Sequence, residues 1–166
     1  MNLLKFLKAK DGKLSVKGYV RLQIHRADGT LREDTGFMKN TIVNSALAVL
    51  SGLVGNTGSQ VAFTYLAVGT DSTASGATQT ALLAEIVDTG LERASATVSR
   101  VTTTQTNDTL QLLKAWTASG SKTVEEVGAF NDASAGVMLG RKVTGSKALV
   151  SGETLTVTYK FVFAGA

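Results

Sequence analysis

The chain has 166 residues, a net charge of +4, 18% charged and 43% hydrophobic residues, and neither cysteine nor proline. This length suits one domain with a real core. The lack of cysteine excludes disulfides and thiolate metal sites, leaving sheet hydrogen bonds, packing and oligomer contacts as sources of stability. The charge below the usual level favours a surface covered by partners.

Residues 1–17 read as a basic arm. Lys5, Lys8, Lys10 and Lys13 alternate with the apolar beads Leu3, Leu4, Phe6 and Leu7. Residues 1–39 hold nine basic and four acidic side chains, a balance of +5; residues 40–166 hold eight and nine, or −1. Excess positive charge at one end is expected to seek an acidic protein surface. Nucleic acid is not the expected partner, because basic residues do not cluster here with exposed aromatics or a known motif. The lysines follow the apolar residues, the reverse of a secretory signal. No apolar run approaches the roughly 20 residues of a membrane-spanning helix, so no membrane partner is expected.

The rest, residues 18–166, reads as a single β-rich domain. Gly18 to Arg26 alternates with period two, Val20, Leu22 and Ile24 on one face. Asp28-Gly29 is a hairpin signal leading into a second strand, Leu31 to Phe37. Asn40 to Leu53 is predicted helical, with Asn40 or Thr41 as cap and Ile42, Ala46, Val49, Leu50 and Leu53 on one face. Gly52 and Gly55 are plausible stops, and the near absence of charge predicts packing on most sides.

A strand is predicted over Val61 to Gly69, a loop over Thr70 to Thr80 and a helical turn over Ala81 to Val87. Further strands are Arg93 to Thr106, Thr109 to Ala118, Thr123 to Asn131, Val137 to Thr144 and Thr154 to Phe163, with a loop over Gly145 to Gly152. In the last strand Leu155, Val157, Tyr159, Phe161 and Phe163 share the buried face. Strands separated by short Gly, Ser, Asn and Asp loops imply an antiparallel β-sandwich or a jelly-roll-like barrel, with one packed helix near residues 41–53.

No residue set points to catalysis. His25 is the only histidine, so any triad would have to use it. Its period-two phase puts it on the more polar face of its strand, where an ordinary exposed or hydrogen-bonded histidine is expected, and one histidine is too few ligands for zinc. Glu125 and Glu126 are adjacent on a strand and point to opposite faces, so they form no acid/base pair. A salt bridge to Arg93, Arg100 or Arg141 is the expected role for these carboxylates. The loop from Gly69 to Gly76 lacks Gly-Lys-Ser/Thr and carries one carboxylate, which fits neither a phosphate loop nor a calcium loop. Trp116 is expected in the core. The expectation is a non-enzymatic protein with no cofactor and no metal.

Five phrases occur in order: Lys39-Asn40-Thr41-Ile42-Val43-Asn44 before the helix; Phe63 to Thr70 running into Thr80-Ala81-Leu82-Leu83-Ala84-Glu85; Arg93-Ala94; Thr123 to Asn131 followed by Met138-Leu139-Gly140-Arg141; and Ser151 to Tyr159. Together, over residues 38–163, they resemble small structural proteins of tailed bacteriophages, of the tail-fibre-like or decoration type. The resemblance implies a virion component made in the host bacterial cytoplasm. The size and basic arm favour a capsid decoration (cement) protein, a homo-oligomer with a trimer favoured, that binds the major capsid protein and stabilises the head shell. The alternative is a tail subunit of fibre, baseplate or head–tail connector. The partner-binding residues expected in the arm are Leu3, Leu4, Lys5, Phe6, Leu7, Lys8, Lys10 and Lys13.

Overall fold

The computed structural model describes residues 14–165. The expected arm residues Leu3 to Lys13 lie outside them. Among the described residues two antiparallel sheets and one helix build a β-sandwich.

Sheet A has the order β2-β1-β11-β8-β7, with β3 also pairing β1. Its centre is the long pair β1 (Ser15–His25) and β11 (Thr154–Ala164), in register from Ser15 opposite Ala164 to His25 opposite Thr154. β1 therefore starts three residues before the expected Gly18, and Ser15 to Lys17 belong to the sheet. The period-two pattern decides the faces. Val20, Leu22 and Ile24 are buried, as are Leu155, Val157, Tyr159 and Phe161, while the residues between them are partly exposed. β8 (Thr109–Thr117) and β7 (Thr97–Val101) extend the sheet beyond β11. Trp116 lies in the core, its Nε1 donating to the Glu92 carbonyl at 2.8 Å.

The hairpin signal holds. Gly29 has φ +83°, and Asp28 accepts from the Thr30 amide. The returning strand is shorter than expected: β2 spans Leu31–Asp34, and β3 is only Met38–Lys39.

Sheet B has the order β4-β10-β9-β5-β6. β9 (Lys122–Phe130) lies between β10 (Met138–Leu149) and β5 (Tyr65–Gly69). The expected loop from Gly145 is part of β10. Gly145, at φ +69°, sits where the register against β9 shifts between Val143 and Lys147, so the strand bulges rather than stops. The expected strand from Val61 begins only at Tyr65.

The run Arg93 to Thr106 is not one strand. Ala94–Ser95 (β6) pairs with β5 in sheet B, and Thr97–Val101 (β7) pairs with β8 in sheet A. The chain changes sheets at Ala96. Alternation alone does not reveal this, since a strand that crosses a sandwich corner keeps its residue types.

The same device accounts for the start of the expected helix. Thr41–Ile42 is β4, paired with β10, and the helix α1 is Asn44–Gly55. Asn40 is no cap. It stands between β3 of sheet A and β4 of sheet B, its Nδ2 donating to the Tyr159 hydroxyl at 2.6 Å. A Cβ on Gly18 or Gly140 would fall within 1.6 or 2.4 Å of the Asn40 side chain, so both glycines are needed where it threads between the sheets. Val43 is the N-cap and makes no side-chain cap bond; the Ala77 carbonyl takes the Asn44 amide at 2.8 Å. At the other end neither Gly52 nor Gly55 stops the helix. Asn56, at φ +49°, does so in the left-handed conformation.

Candidate functional site: an open apolar groove and a closed ionic cluster

α1 is not packed on most sides. Ala46 and Val49 are buried, Leu50 and Leu53 pack against the core, yet Leu47 is 55% and Val54 90% exposed. These exposed side chains form one wall of a groove of about 1120 Å³. Phe63 and Ala62 line it ahead of β5, and Val98, Leu110 and Phe163 contribute from sheet A. At its N-terminal rim stand Val16 and Leu14, the latter 77% exposed. Among the described residues Arg100 is the only charged side chain in the lining.

The pattern of β1 explains the rim. Val16 continues the inward face of Val20 and Leu22, and Leu14 is next in the same phase. The inward face of sheet A thus runs on beyond the part that sheet B and α1 cover. Scattered surface leucines are ordinary, but contiguous apolar area on both walls of a groove is the usual mark of an interaction site.

The second feature is chemically the opposite. Arg141 on β10 and Glu126 on β9 are both fully buried, with Arg141 Nε 2.6 Å from Glu126 Oε2. Of the three arginines expected as partners for this carboxylate, Arg141 is the one. Its remaining donors reach the Thr73 carbonyl at 2.8 Å, Gln79 Oε1 at 3.1 Å and Asp71 Oδ1 at 3.5 Å. Glu126 also accepts from the amides of Ala84 at 2.9 Å and Leu83 at 3.3 Å.

The pair therefore pins two segments to sheet B: the small-residue loop after Gly69 and the stretch Ala81 to Val87. That stretch is not a helical turn. Its amides bond to Glu126 and to β5, with Gly69 bridging Glu85. Asp71 turns its own loop, and the Thr73 amide that it accepts holds its carboxyl below the ordinary range. Arg93 lies over the Phe130 ring at 3.7 Å and pairs with Glu85 at 2.5 Å. Every polar group in this cluster has a partner, so it reads as an internal clamp rather than as reactive groups.

His25 ends β1 opposite Leu31 and Thr154, away from these carboxylates in the register. Among the described residues no three His, Asp or Glu side chains converge on a metal-sized site, and no helix is long and apolar enough to cross a membrane. The groove escapes sequence reading. Its residues come from distant segments, and the helical spacing that selects Ala46, Val49, Leu50 and Leu53 as the packing face of α1 does not reveal that Leu47 and Val54 are left uncovered.

Comparison with protein-family models, with curated proteins and with solved structures finds no match for this chain.

Proposed function

We propose that this chain is a non-enzymatic structural protein of a tailed-bacteriophage virion, a capsid decoration protein that binds the head shell. The observation that carries a partner-binding role is the groove: an apolar channel of about 1120 Å³ between α1 and sheet A, open at the point where the basic N-terminal segment joins the domain. A protein that works by standing contact needs surface of this kind. The ordered phrases between residues 38 and 163 that resemble phage structural proteins supply the virion setting. The lysines of residues 5–13 supply attraction to an acidic capsid surface, which salt weakens.

The test is quantitative mass spectrometry of purified particles from a host that produces this chain. Hundreds of copies per particle are expected. A few tens or fewer would transfer the protein to the tail, and its absence from particles would overturn the virion reading altogether.

A further inference from the structure

We infer that the groove beside α1 receives the segment Leu3-Leu4-Lys5-Phe6-Leu7 of a second copy of this chain, so that copies are joined by exchanged N-terminal arms. This rests on the structural-protein reading above and names the partner of its groove.

The first argument is where the chain enters the domain. Leu14 lines the groove and is 77% exposed, so the thirteen residues before it join the domain at the groove's own rim. Copies set side by side at this rim place each arm next to another copy's groove. The eight residue steps from Leu14 back to Phe6 span about 26 Å when extended, enough to cross between neighbours.

The second is chemical match. Among the described residues the groove is walled mainly by leucine, valine and phenylalanine, with one charge, Arg100. The arm offers three leucines and a phenylalanine within five residues, and its flanking lysines are free to remain in water. Leu3, Phe6 and Leu7 have the i, i+3, i+4 spacing by which short segments fill apolar grooves.

The third separates a second copy from the chain's own arm. The edge of β1 along which the chain's own arm would run back is occupied: the Asn40 amide bonds to the Gly18 carbonyl at 3.1 Å, and β3 pairs with β1 at Tyr19 and Val20. An arm from another copy reaches the groove without that edge.

The test is sedimentation velocity on three purified proteins: the full chain, a deletion of residues 2–13, and the double variant Leu47→Lys/Val54→Lys. Leu47 and Val54 are exposed, so the double variant should fold, which thermal melting checks. The full chain is expected to self-associate, equally at low and high salt. Deletion and double variant should each self-associate roughly tenfold more weakly or not at all. Mixing the two should restore a complex, since one keeps its groove and the other its arm. A synthetic peptide of residues 1–13 should dissociate the full-length assembly without reference to either variant.

Self-association that survives in the deletion would overturn the inference. So would a monomeric full chain whose melting temperature falls on deletion, the signature of an arm seated in its own groove. These measurements use no particles, so a failure here is distinct from failure of the virion reading, which particle composition decides.

Discussion

The Arg141 cluster and the α1 groove invert the usual placement of side chains. In the cluster two opposite charges are fully buried, whereas in the groove leucines and valines face solvent. The difference lies in whether partners are present within the chain. Arg141 and Glu126 find all of theirs in loops that they draw onto sheet B, so burial costs little more than their desolvation. The groove side chains have no such cover among the described residues, so the free energy of covering them remains available for binding.

The sharpest way to break this contrast is to put an unpaired charge inside. Phe161→Asp, on the fully buried face of β11, is expected to prevent folding; circular dichroism that showed a native spectrum would mean that the strand phase is wrong. Arg141→Ala comes next. It leaves Glu126 buried without its counter-charge and should cost about 3–5 kcal/mol in urea unfolding. The paired replacement Arg141→Met/Glu126→Leu should recover much of this loss if the cluster is a clamp and nothing more.

A smaller effect is expected for Tyr159→Phe. It removes the hydrogen bond from Asn40 and leaves the ring stack on Phe161, at a cost of about 1 kcal/mol. Burial raises the Tyr159 hydroxyl pKa well above its ordinary value, so the group stays neutral at any working pH and continues to accept from Asn40.

Acid sharpens the comparison further. Amides of the Thr103–Gln105 turn hold the Asp108 carboxyl far below its usual range, and Arg21 does the same for Asp34. A folded-state pKa below the unfolded one gives stability that is present above about pH 4 and is lost as pH falls further. Melting temperature should therefore drop below pH 4, and Asp108→Asn should flatten that drop. The least effect belongs to the groove: Leu47→Lys should shift unfolding by about 0.5 kcal/mol or less, because the side chain is already exposed.

Period-two alternation makes β1, β11 and the inward face of sheet A legible in the sequence, because one residue of slip would expose every core side chain. Asp28-Gly29 likewise specifies its own turn. For Glu126 the sequence offers three arginine partners and does not choose among them. Its choice depends on the β9–β10 register, Arg141 opposite Gly128 and Val143 opposite Glu126, which a bulge shifts further along.

Local pattern determined that this chain makes a mainly β-fold with a helix near residue 45, because each strand's faces and the hairpin turn are decided by residues close in sequence. Tertiary structure alone decided where strands change sheets, at Asn40 and Ala96, and that the side of α1 carrying Leu47 and Val54 stays uncovered. Those outcomes depend on close approach between distant segments: Asn40 fits only between Gly18 and Gly140, and Leu47 and Val54 are exposed because α1 meets the core through Ala46, Val49, Leu50 and Leu53 instead.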